Sequence, residues 1–294
     1  IDPVDFKVGQ NGHITGAALS AALKTTDVIV QTGLTQASAS GAVNTDTSGK
    51  GDIIIEDAVA WDSGKALTLD AYNDIYINHV IDAGKGAGGQ LHLKYGQQSA
   101  DGSISEIFDA DEQMMKPIYA DYYIQAPVHL QQGLNFSIQR GSDVQNFKAF
   151  HVLTDIHAVQ NMQDDLSGNY ALGSNIDAAA LANFSPVGTL IEGTGPNSGN
   201  RSFTGRFDGL GHIIENLTVH AVQRGQGQGS NWGMFGKTLD ADIRNIGLMN
   251  VNVSGDDNIG GLAGSISSTH ISNSFVTGKV AAQNYAGGLV GSSY

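Results

Sequence analysis

Gly233-Met234-Phe235-Gly236, Gly261-Leu262-Ala263-Gly264 and Gly288-Leu289-Val290-Gly291 are three versions of one phrase, spaced by 28 and 27 residues. A second phrase keeps step with it: Ile214-Glu215-Asn216, Ile243-Arg244-Asn245 and Ile271-Ser272-Asn273, at intervals of 29 and 28. A shared period of this size marks a stacked architecture whose single units cannot bury an apolar face alone. The residues between the phrases are β-formers broken by Gly, Asn and Asp, as in Ile246–Val253 and Ile271–Val276. A unit of that length holds two or three short strands, too little for a helical hairpin. Stacking such units pairs each strand with its equivalent one period later, about 4.8 Å away. The expected fold is therefore all-β, a parallel β-helix or β-solenoid. Its glycines serve tight corners or close backbone approach, and its recurring asparagines are placed to form amide ladders.

Upstream, a weaker repeat follows the same logic. Asp52-Ile53-Ile54-Ile55 matches Asp74-Ile75-Tyr76-Ile77 after 22 residues, and Leu67-Thr68-Leu69 matches Leu91-His92-Leu93 after 24. Alternating apolar residues put one face of each strand inward. Gly16–Leu23 has helical composition over about two turns and reads as a short excursion. From Val152 the texture changes. Asp155 caps a helix-compatible stretch, Ala178–Ala182 is alanine-rich, and Gly193–Asn200 is a Gly-Pro-Asn loop. These divisions give N-terminal β-helix turns over 1–150, a short helix-containing insertion over 151–202, and repeats over 203–294.

Composition narrows the function. The chain has 294 residues with 39 Gly and no Cys, so disulfide frameworks and thiolate metal sites are excluded. A net charge of −14 makes nucleic acid a poor partner. No apolar run approaches the roughly 18 residues of a membrane span. The chain starts at Ile1 without Met and stops at Tyr294 just after a repeat phrase, which is expected of a piece cut from a longer protein.

Asn169–Asp177, Phe203–His212 followed by Ile214–Thr218, and the Gly-Gly-Leu-Val-Gly phrases resemble filamentous-haemagglutinin-like adhesins. These are bacterial exoproteins of the two-partner secretion type, and the glycine phrase is similar to their GLUG motif. Trp61-Asp62 and Leu67–Asn73 are similar to the same group. The resemblance implies a right-handed β-helix, secretion to the bacterial cell surface, and an outer-membrane secretion partner acting through a region outside this sequence. It implies attachment to a host-cell or matrix glycan or protein, and it carries over no catalytic residue.

Chemistry sought directly gives little. There is no His-Glu-x-x-His, and His151 and His157 do not share a helical face. Asp109-Ala110-Asp111-Glu112 lacks the ligand spacing of a calcium loop. Gly225–Gly229 lacks the final glycine spacing and the helix of a nucleotide loop. No catalytic residue, metal or cofactor is expected. Tyr76, Tyr122, Tyr123 and Trp232 are the candidate ligand-binding aromatics, and since neighbours in a strand face opposite ways, at most one of Tyr122 and Tyr123 points outward. Asn135, Asn200, Asn216 and Asn252 each begin Asn-x-Ser/Thr and are candidate glycosylation sites; Asn183 does so as well, with Pro186 following. Three functions remain open: an adhesin segment, a stalk carrying a distal domain, and a polysaccharide-acting enzyme using Asp62, Asp70, Asp74 and Asp82 along one groove.

Overall fold

A computed structural model describes residues 4–33, 49–188, 201–220 and 230–294. The chain is all-β, with 48% of it in strands and 9% in helices. It forms two compact units, Ile1–Val152 and Leu153–Tyr294.

In the first unit three sets of parallel strands carry the core. Phe6–Val8, Ile53–Ile55, Ile75–Ile77 and Tyr122–Ile124 pair in the register Phe6↔Ile53↔Ile75↔Tyr122. Val28–Gln31, Ala66–Asp70, Gln90–Tyr95 and Gly133–Arg140 pair in the register Val28↔Leu67↔Leu91↔Phe136. Val59–Ala60, Ile81–Ala83 and Val128–Leu130 form the third set. Both expected matches of this region are thus neighbours in a sheet. Alternation decides which side is inward: Ile53, Ile55, Ile75, Ile77, Leu67, Leu69, Leu91 and Leu93 are all fully buried, while the residues between them face out. The helix Gly16–Leu23 is capped by Thr15, whose hydroxyl accepts from Ala18 N–H at 3.2 Å, and it buries Leu19 and Leu23. Between the strand sets, Ser103–Asp109 and Met114–Tyr119 form an antiparallel two-stranded hairpin.

The second unit repeats the scheme. Asn169–Leu172, Arg206–Asp208, Asp242–Arg244 and His270–Ser272 are parallel, with Tyr170↔Phe207↔Ile243↔Ile271. Ile176–Asp177, Ile213–Glu215, Gly247–Gly255 and Phe275–Ala282 are parallel, with Ile176↔Ile214↔Leu248↔Val276. Phe235–Leu239, Ala263–Ser267 and Val290–Ser293 follow the glycine phrase in register, Phe235↔Ala263↔Val290. The phrase's glycines mark close approach. A Cβ on Gly264 would meet the backbone of Asn231, and one on Gly291 the equivalent backbone of Asn258.

Two expectations are corrected here. The Ile-x-Asn phrase at Ile214 is not the partner of Ile243: Ile214 pairs with Leu248, and Phe207 pairs with Ile243. Two corners of one repeat share the same local chemistry, an apolar residue followed by a left-handed Asn, with φ of 59° at Asn216, 57° at Asn245, 54° at Asn250 and 45° at Asn273. The sequence match therefore joined unlike corners. The segment 151–202 is likewise no separate helical insertion. Its described residues contain one short helix, Ile156–Gln160, capped by Asp155, and the single 3-10 turns Asn161–Asp164 and Ala178–Ala180. Its strands Asn169–Leu172 and Ile176–Asp177 are members of the same parallel sets as the later repeats.

Candidate functional site

The corners of the first unit are tied by carboxylates. Asp5, Asp52, Asp74 and Asp121 each precede a strand of the first set. Asp5 Oδ1 accepts the backbone N–H of Asp52 at 2.9 Å, Asp52 Oδ1 that of Asp74 at 3.1 Å, and Asp74 Oδ1 that of Asp121 at 2.8 Å. Asn73 Nδ2 also donates to Asp52 Oδ1, at 2.6 Å. Burial pushes the Asp52 and Asp74 carboxyls above the usual carboxylate range, against the opposing pull of these hydrogen bonds. The pattern was legible as Asp followed by apolar-x-apolar at all four places, although only the middle two were matched from sequence.

Outward from this corner stand Tyr76 and Tyr123, in register on adjacent strands. Their rings are stacked with centroids 4.9 Å apart and planes 12° off parallel. Tyr76 donates its hydroxyl to Asp74 Oδ2 at 3.3 Å, and burial together with the Asp74 charge pushes the phenol's pKa up. Tyr123 is 38% exposed. Tyr122 is the opposite case and is corrected: it points inward, is 1% exposed and packs against Tyr95 with centroids 5.3 Å apart. Strand alternation spends that ring on the core. Trp232 lies in the second unit, half-buried against its apolar core, with a parallel bridge to Ile259.

The acids proposed for a catalytic groove have separate duties. Asp70 pairs with Lys94 at 3.7 Å, Asp82 pairs with Lys85 at 3.1 Å, Asp74 belongs to the corner ladder, and Asp62 is exposed in the connection after Val59–Ala60. Asp109 and Glu112 close the hairpin turn around Lys116, at 2.7 and 2.8 Å.

The sequon asparagines differ in availability. Asn216 Nδ2 donates to Asp177 Oδ1 at 2.9 Å and its Oδ1 accepts from Asn250 at 2.6 Å. Asn135 Nδ2 donates to the Gln131 carbonyl at 3.1 Å. Asn183 is bound both ways to the His220 backbone. Asn252 is exposed on an outward strand position. Asn200, the Gly193–Asn200 loop and Gly225–Gly229 lie outside the described residues.

Residues 120–278 match the family described as the M26 IgA1-specific metallo-endopeptidase N-terminal region. The chain is also similar to halomucin of Haloquadratum walsbyi (strain DSM 16790 / HBSQ001), with 34% identity over 171 residues. That alignment covers 54% of this chain and 2% of halomucin, so the chain spans a very small part of its curated relative. No solved structure matches. Among the described residues no group of three or more His, Cys, Asp or Glu is placed to hold a metal ion. With more than half of its length matched, the chain belongs to the M26 IgA1-specific metallo-endopeptidase N-terminal region family.

Proposed function

We propose that this chain is a non-catalytic segment of a secreted or surface-displayed protein of the adhesin type, folded as a right-handed parallel β-helix in each unit. The right hand follows from the general rule for parallel strands joined by crossovers. The observation that carries the reading is the division of labour along the strands. Inward positions of the first unit's parallel strand sets are apolar and buried, while the positions between them face outward, where side chains can serve recognition. Membership of the M26 IgA1-specific metallo-endopeptidase N-terminal region family and likeness to halomucin support a place outside the cell.

The stacked Tyr76–Tyr123 pair is the recognition element of this proposal. Flat aromatic faces beside polar groups suit the apolar faces of sugar rings, and an acidic chain disfavours sulfated or phosphorylated ones. Beads coated with residues 1–294 are tested for attachment to cells and to an array of neutral glycans. Attachment that falls in a Tyr76→Ala/Tyr123→Ala double variant supports the proposal. Attachment no better than that of beads bearing an unrelated repeat protein leaves a stalk, and release of reducing ends from a polysaccharide makes the chain an enzyme.

A further inference from the structure

The hairpin Ser103–Asp109/Met114–Tyr119 is a two-stranded sheet with no third strand among the described residues. Two-stranded sheets are marginal alone in water. This one nevertheless exposes Ile107 (58%), Phe108 (55%), Met114, Met115, Ile118 and Tyr119. So many exposed apolar side chains on one short element mark an interaction surface.

The two free edges differ. Met114–Tyr119 carries Lys116 and Pro117, the residues that blunt an edge against further pairing. Ser103–Asp109, of sequence Ser-Ile-Ser-Glu-Ile-Phe-Asp, has neither. The pairs Met115↔Phe108 and Pro117↔Glu106 put Glu106 and Phe108 on one face of the sheet, while at Ile104 the register shifts, Ser105 pairing with Ile118 and Ser103 with Tyr119. Glu106 is exposed there and makes no ion pair among the described residues, whereas Asp109 and Glu112 share Lys116. A carboxylate beside an apolar same-face neighbour on an open edge specifies a complementary strand: basic and apolar on alternate residues.

We propose that the Ser103–Asp109 edge takes up an extended segment of another protein by antiparallel strand addition, with a Lys or Arg opposite Glu106 and an apolar residue opposite Phe108. A second copy of this chain is the poorer occupant. Antiparallel self-pairing centred on Glu106 sets two carboxylates face to face, and each copy carries a net charge of −14.

The probe is a synthetic peptide alternating Val and Thr with one central Lys, compared with its twin carrying a central Glu. Titration into residues 1–294 is followed by amide NMR, and sedimentation velocity reports association state. The expected result is shift changes confined to Ser103–Tyr119 and about fivefold tighter binding of the Lys peptide. The preference reverses in Glu106→Lys. Because the hairpin stands outside the buried core, this variant is expected to melt like the parent. Binding of neither peptide, equal binding of both, or a preference that survives Glu106→Lys overturns the proposal. So does a dimer of the chain that Phe108→Glu dissolves, which would make the edge a self-association surface.

Discussion

The carboxylate of Asp52 accepts the backbone N–H of Asp74, and Asp74 in turn accepts that of Asp121. Each carboxylate therefore holds the start of the next strand in its set while lying near a like charge. Burial raises both carboxyl pKa values above the usual carboxylate range. A raised folded-state carboxyl stabilises the fold below its unfolded pKa and loses that contribution as pH rises through the folded one. Asp74→Asn keeps an oxygen to accept from Asp121 and removes the charge. Its melting temperature, relative to the parent, is expected to rise between about pH 4 and neutrality. A difference that stays flat across that range would contradict burial as the dominant influence on Asp74.

Asn245 joins two rungs in the second unit. Its Nδ2 donates to Asp208 Oδ1 at 2.9 Å, its Oδ1 accepts from Asn273 Nδ2 at 2.9 Å, and its backbone is left-handed at φ 57°. Asp208 is 1% exposed, so loss of the amide strips one donor from a buried carboxylate. Asn245→Ala is expected to cost about 2–4 kcal/mol, combining that loss with the left-handed penalty. Asn245→Gly keeps the backbone conformation accessible and is expected to recover about 1 kcal/mol. Urea unfolding of the pair separates the two contributions, and equal midpoints would remove the conformational one.

The stacked tyrosines give a gentler test. Tyr123 is part-exposed and its ring lies on Tyr76 in the next strand. A double-mutant cycle with Tyr76→Ala and Tyr123→Ala is expected to return a coupling of about 0.5–1.5 kcal/mol. A coupling near zero would mean that the stacking adds nothing beyond the burial of each ring.

Where the sequence was legible, a residue type had one physical use. The glycine phrase is in register because close backbone approach at Gly264 and Gly291 admits no side chain. The triplets at Ile53 and Ile75 are in register because only alternation buries one face. The Ile-x-Asn phrase misled because left-handed Asn serves two different corners of one repeat, at Asn216 and Asn245. Residues 151–202 misled for a related reason: the helical signal at Asp155 is real, yet the strands that tie the segment into the sheets are as short as Ile176–Asp177. At the candidate site, alternation allowed only one of Tyr122 and Tyr123 to face outward, and it took the sheet's register to decide which. The hairpin escaped notice because its apolar residues follow no buried pattern; they face solvent on both sides.

The inward role of the glycine phrase yields the sharpest stability contrast. Leu262 is fully buried, and its backbone N–H donates to the carbonyl of Leu289, its equivalent one repeat later, at 3.0 Å. Leu289 packs on the same core but is only part-buried. A carboxylate in place of Leu262 has no partner and little access to water, so Leu262→Asp is expected to cost several kcal/mol, about 4 or more. Leu289→Asp retains a solvent route for its charge and is expected to cost markedly less, about 1–2 kcal/mol. Chemical denaturation of both variants, read by far-UV circular dichroism, checks the order. If Leu262→Asp unfolds at the parent's midpoint, Leu262 does not face the core. If the two variants lose equal stability, the burial gradient along the glycine phrase is not what holds this end of the unit.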